Sequence, residues 1–103
     1  MYFTEREREI IRTFYVNLDL YDRETMTLKW SNGSVIIAKF DTCFDDDNEL
    51  EPGEDGYEDF NSFVFEVINV FGNPPVYISK DKLCLINYKN FPDEILVGNK
   101  KIN

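Results

Sequence analysis

The chain contains no histidine, and between Lys39 and Lys80 it contains no lysine or arginine either. The first absence removes the commonest general base, nucleophile partner and transition-metal ligand, so Ser-His and Cys-His catalytic pairs and the usual zinc sites are excluded. GxGxxG, Walker A and GxSxG patterns are missing as well. Cysteine is scarce: Cys43 and Cys84 stand 41 positions apart with no CxxC. In a reducing compartment this spacing reads as two separate thiols, Cys84 in an apolar strand pattern and Cys43 with a pKa raised by the acids around it. No apolar run reaches the ~18–20 residues of a membrane helix. The longest, Phe63 to Phe71, is broken by Glu66 and Asn69. Glu5 to Glu9 interleaves acids with arginines, unlike a secretory or transit peptide, so a cytoplasmic location without membrane contact is expected.

What the cation-free stretch holds instead is acid: Asp41, Asp45, Asp46, Asp47, Glu49, Glu51, Glu54, Asp55, Glu58, Asp59 and Glu66. The remaining residues carry nine acids and eleven basic residues, so the whole formal net charge of −9 comes from this one segment. Such a patch repels phosphate backbones, which excludes nucleic acid as a partner, and attracts cations or a basic protein surface. A hydrophobic share of 43% with 16% aromatics is too rich in core-forming residues for a disordered chain, and 103 residues suit one domain, 1–103.

Thr4 followed by Glu7 forms a capping box, and Ile10, Ile11, Phe14 and Tyr15 follow as one helical face, which predicts a short helix over residues 5–14. From Phe14 the period becomes two, through Val16, Leu18 and Leu20, and predicts a strand that turns at Asp22-Arg23-Glu24 into Met26, Leu28 and Trp30. Asn32-Gly33 predicts a type I′ hairpin in which Trp30 faces Val35, Leu28 faces Ile37 and Met26 faces Lys39. Residues 41–61 show neither period and contain Pro52, Gly53 and Gly56, so a long acidic loop is expected there. Ser62 to Phe71 resumes a strand, Val76 to Ile86 reads as a hairpin, Phe91 to Ile95 as a capped turn or brief helix, and Leu96-Val97 as a closing strand. Trp30, Leu28, Ile37, Phe63, Phe65 and Val67 are the expected core anchors. The fold class is α+β: a short N-terminal helix packed on a mainly antiparallel, meandering sheet of five to six strands.

Three chemistries compete for the acidic segment. A hydrolase with paired carboxylates needs two acids held at ~5–10 Å on a rigid cleft, which a crowded loop supplies poorly. A calcium module gains from the alternation of Asp45, Asp47, Glu49 and Glu51. Counted from Asp47, however, the sixth position is Pro52 where an EF-hand requires glycine, so neither metal nor other cofactor is expected. Protein recognition fits best. Asp45, Asp46, Asp47, Glu49, Glu51, Glu54, Asp55 and Glu58 would form an acidic rim around the aromatic anchors Tyr57 and Phe60, suited to a partner with a basic surface.

Leu28-Lys29-Trp30-Ser31-Asn32-Gly33, Phe40-Asp41-Thr42, Asp45-Asp46-Asp47-Asn48, Gly56-Tyr57-Glu58 and Asn90-Phe91-Pro92 together resemble small acidic bacterial proteins, among them suspected immunity proteins of polymorphic toxin systems. The resemblance implies a toxin domain as partner and a noncatalytic inhibitor role.

Overall fold

The computed structural model describes residues 2–103, and in it one helix, α1 (Glu5–Tyr21), packs on a six-stranded antiparallel sheet. The strands are β1 (Thr25–Lys29), β2 (Val35–Asp47), β3 (Asp59–Phe71), β4 (Leu83–Ile86), β5 (Glu94–Val97) and β6 (Lys100–Lys101), in the spatial order β4-β3-β2-β1-β5-β6. The expected α+β class holds. β1 to β4 form a meander, after which the chain crosses to the opposite edge and β5 pairs with β1.

Thr4 caps α1 by accepting the Glu7 N–H at 3.1 Å. Glu7 does more than a capping residue usually does. Its fully buried carboxylate accepts the Phe3 N–H at 2.9 Å and, from β3, the Asn61 N–H at 2.6 Å and the Asn61 side-chain amide at 3.1 Å. Three donors replace the lost water, which is what makes a carboxylate tolerable at zero exposure.

The helix continues to Tyr21, past the expected end at Phe14, and the strand expected from there on is absent. Glu7, Ile11, Phe14 and Leu18 recur at helical spacing and are buried, whereas Val16 and Leu20 are 63% and 74% exposed. The two-residue alternation is therefore a coincidence of composition. Asp22-Arg23-Glu24 joins helix to strand, with Arg23 at a φ of 71°.

The β1–β2 hairpin is one residue out of the expected register. Gly33 N–H donates to the Trp30 carbonyl and Trp30 N–H to the Ser34 carbonyl, both at 3.0 Å, so Ser31 and Asn32 are the turn's central pair and Gly33, at φ +89°, is the left-handed residue that follows. This is the three-residue loop with a glycine bulge, not the two-residue I′ turn, which needs positive φ at Asn32 as well. Leu28 accordingly faces Ile36 and Met26 faces Ala38. Ile36 and Ala38 are buried and Ile37 is half-buried, so Ile37 yields its expected core place; Trp30, Leu28, Phe63, Phe65 and Val67 keep theirs.

β2 and β3 pair along their whole lengths, from Val35 with Phe71 to Asp47 with Asp59. The expected loop at 41–61 is thus confined to residues 48–58, because Asp41–Asp47 and Asp59–Asn61 are strand. Two irregularities interrupt the ladder: Ile68 is an extra residue on β3 and Asp41 an extra residue on β2. Each switches which alternate residues face α1, so Phe40 and Cys43 both pack against the core, as do Val67 and Val70.

Ile78 bridges to Cys84 beside a tight turn in which Lys82 takes a φ of 63°, a reduced form of the expected hairpin. The expected turn or helix at Phe91–Ile95 is absent. Instead the crossing strap is pinned by Trp30 Nε1 donating to the Asn90 carbonyl at 2.8 Å and Asp93 N–H donating to the Lys29 carbonyl at 2.8 Å. Phe91 then wedges between Phe14 and Phe63, with ring centroids 5.7 and 6.4 Å away.

Gly72, at φ +77°, seals the far end of the β2–β3 ladder, where a Cβ would sit 3.0 Å from Ser34 Oγ and 3.2 Å from Ser34 Cα. Ser34 Oγ also accepts the Asn73 N–H at 2.9 Å, so it has little room to retreat. Gly72→Ala should therefore cost about 1–3 kcal/mol by combining a strained φ with a backbone clash. Urea denaturation measures it; a loss below about 0.5 kcal/mol would mean that the junction yields freely.

Candidate partner-binding site

The paired ends of β2 and β3 and the loop at 48–58 together carry most of the acids in the cation-free stretch. The loop is built, not slack. Asn48 staples it by donating from Nδ2 to the Gly56 carbonyl at 2.6 Å and accepting the Glu58 N–H on Oδ1 at 3.3 Å. Two successive turns lie between, closed by Glu54 N–H to the Glu51 carbonyl at 3.0 Å and Tyr57 N–H to the Glu54 carbonyl at 3.1 Å.

Glu49, Glu51, Glu54 and Asp55 are exposed at the tip, and Asp45 and Asp47 are exposed along β2. Asp46 is half-buried and accepts from Ser62 Oγ at 2.9 Å and from the Asp47 N–H at 2.8 Å; Asp47 in turn accepts the Glu49 N–H at 2.8 Å. Among the described residues the ion pairs are Arg8 with Glu5 and Lys89 with Glu58, so no lysine or arginine lies within 4 Å of the tip carboxylates.

The two proposed aromatic anchors part company. Tyr57 is half-buried and its hydroxyl donates to Asp59 at 2.7 Å. Phe60 is only 6% exposed, lies edge-on to Tyr88 at 6.5 Å and carries Lys89 Nζ 5.6 Å from its ring centroid, so it has little surface left for a partner. Glu58 is likewise engaged at home, accepting from Tyr88 and pairing with Lys89 at 3.3 Å. The Tyr88 hydrogen bond and the nearby ammonium hold the Glu58 carboxyl below the usual range, while the carboxylates that Tyr57 and Tyr88 bond to push both phenols up to about 12.

The sign of the tyrosine effect is fixed. A phenol whose pKa is raised by folding contributes stability that is complete below its unfolded value near 10 and is lost as pH rises through about 12. Alkaline absorbance titration should therefore show Tyr57 and Tyr88 ionising late, beside Tyr15, whose phenol is also raised by burial and by the neighbouring Cys43. Both Tyr57→Phe and Tyr88→Phe should each remove one late step, and an unchanged curve would deny these hydrogen bonds.

No group of three or more acidic or cysteine side chains converges to hold a metal ion among the described residues, because the acids are spread along two strands and a turn tip. Nor is any helix among them long and apolar enough to cross a membrane. Both cysteines are free thiols. Burial raises Cys43 first, with Asp45 and Glu7 adding to it, and burial raises Cys84 to about 11; the expected upward direction at Cys43 holds, with desolvation ahead of charge.

Several participants leave no local mark in the sequence. Glu7 and Asn61 anchor the base of the acidic hairpin to the helix, and Tyr88 and Lys89 reach it from beyond β4.

No curated protein and no solved structure matches the chain. Among protein families, residues 10–98 match the family described as cognate immunity protein YxxD. That match spans α1 from Ile10, the acidic hairpin and every strand but the last, and the chain therefore belongs to the YxxD family of cognate immunity proteins.

Proposed function

We propose that this immunity protein neutralises its toxin by noncatalytic binding, and that the acidic hairpin meets a basic surface on it. The family match supplies the toxin as partner. The observation that supports the basic surface is the row of carboxylates at Asp45, Asp47, Glu49, Glu51, Glu54 and Asp55, exposed on a hydrogen-bonded scaffold with no lysine or arginine paired to them among the described residues. Holding many like charges together costs stability, and a complementary partner returns that cost on binding and raises the encounter rate. Asp46 and Tyr57 contribute at the margin, where each is half-buried; Glu58 and Phe60 support the scaffold.

The test is co-expression with the cognate toxin. Cells should survive only when the protein is present, and the two chains should co-purify in a complex that high salt weakens. Survival without a complex would point to catalytic removal of the toxin or its product and would overturn the binding mechanism. A complex insensitive to salt would overturn the basic surface.

A further inference from the structure

β1 ends at Thr25, opposite Lys39, but β2 runs on to Asp47. Beyond Lys39, β2 has β3 on one side and, among the described residues, no strand on the other. Hydrogen-bond phase decides which of its backbone groups lie open. At one end Trp30 N–H donates to the Ser34 carbonyl, and at the other Asn48 N–H donates to the Glu58 carbonyl. Antiparallel alternation counted from both anchors, with the extra residue Asp41 between them, agrees that Cys43, Asp45 and Asp47 turn their N–H and C=O groups away from β3. Across the ladder from Asp45, the Asn61 N–H is turned outward by the same phase and goes to Glu7.

The Asp47 N–H is taken by the Asp46 carboxylate. The N–H and C=O groups of Cys43 and Asp45 have no hydrogen-bond partner among the described residues. Cys43 borders a groove of about 370 Å³ between β2 and the second half of α1, whose walls include Tyr15, Leu18, Asp19, Asp22, Phe40 and Asp41, and Asp45 lies two residues further along the same edge. Acids thus stand on both walls, with apolar surface between them.

We propose that this open edge of β2 receives an extended, lysine- or arginine-bearing segment of the toxin, which adds to the sheet as a further strand. The proposal rests on the immunity reading and names the part of the partner that is held. Exposed N–H and C=O groups in strand geometry select an extended main chain, since a helix has none to offer them. Asp19, Asp22 and Asp41 in the groove and the exposed Asp45 beyond it select basic side chains on it, and the aliphatic stems of those side chains suit Tyr15, Leu18 and Phe40. The same acids disfavour edge-to-edge pairing with a second copy of this acidic chain, the hazard that an open edge otherwise carries.

The probe is the cognate toxin. In the free protein the Cys43 and Asp45 amides should exchange with solvent rapidly, and in the complex they should be slowed by at least about tenfold, as closure of an open hydrogen-bond site requires. Asp45→Pro removes that N–H while leaving the β3-facing bonds of its neighbours, and should weaken binding by about tenfold beyond Asp45→Asn, which keeps the N–H and loses only charge. If Asp45→Pro fails to fold, amide exchange in the wild-type complex decides alone. A toxin that binds while both amides exchange as in the free protein overturns the edge and leaves the immunity reading standing. A toxin that does not bind at all overturns both. A complex containing two copies of this chain joined along β2 overturns the choice of occupant.

Discussion

Phe14→Ala should remove about 3–5 kcal/mol of folding free energy, while Val16→Ala and Leu20→Ala should each stay within about 0.5 kcal/mol. Phe14 is fully buried and touches three rings at once: Phe63 edge-on at 5.2 Å, Phe65 stacked at 6.1 Å and Phe91 edge-on at 5.7 Å. Truncating it removes the contact by which the helix grips both the central strand and the crossing strap. Deletion of a ring here leaves a cavity bounded by elements that hydrogen bonds hold apart, notably Glu7 with Asn61 and Trp30 with Asn90, so collapse around it is limited. Urea denaturation of the three variants measures the contrast. Similar losses at Phe14 and Val16 would mean that residues 14–20 bury alternate side chains as a strand does, and that the helical stripe is wrong.

The second large effect belongs to association. Replacing Asp45, Asp46 and Asp47 with Asn and Glu49 with Gln should slow binding to the toxin by about tenfold at low salt and flatten its salt dependence, because exposed charges act mainly on the encounter rate. The fold should survive. Asp47→Asn keeps an oxygen for the Glu49 N–H, and Asp46→Asn keeps one for the Asp47 N–H while turning its amide N–H toward Ser62 Oγ, a hydroxyl that can accept as well as donate. Relief of repulsion among neighbouring carboxylates offsets part of what is lost. Stopped-flow mixing across salt concentrations is the measurement, with thermal melts as the control for folding. Equal association rates for wild type and variant at low salt would leave the acids with no part in recognition.

How far the sequence announces this molecule depends on the range over which each signal acts. Thr4 and Glu7 announce the helix start because a cap is decided within one turn. The helix end is hidden because Phe14, Val16, Leu18 and Leu20 satisfy two periods at once, and only the sheet beneath decides that Phe14 and Leu18 go inward. Asn32-Gly33 marks a hairpin correctly, yet whether Asn32 or only Gly33 takes positive φ shifts every pair by one, and nothing in the dipeptide decides that. Asp41 to Asp47 belongs to a strand despite the poor strand propensity of aspartate, since a partner strand supplies the hydrogen bonds.

The candidate site divides in the same way. The concentration of acid and the family resemblance are readable from composition and local pattern. That Glu58 and Phe60 engage Tyr88 and Lys89 is not, because these arrive from a distant strap. Nor can composition show that β1 stops short of β2 and leaves an edge.

The extra residues on β2 and β3 also set which changes in chain length the hairpin can absorb. Asp41 and Ile68 lie outside the ladder, so deleting either one straightens its strand and leaves every later pair, and every later side chain, on its present face. A deletion at Thr42 is absorbed in the same way, because Asp41 takes its place, whereas one at Ser62 lies too far from Ile68 to be absorbed without turning either Phe63 to Val67 or Asp59 to Asn61 to the opposite side of the sheet. Within the β2–β3 ladder of this chain a single-residue deletion is thus absorbed beside Asp41 or Ile68, and one that turned Asn61 over would take its two donors from Glu7 and leave that carboxylate short of partners.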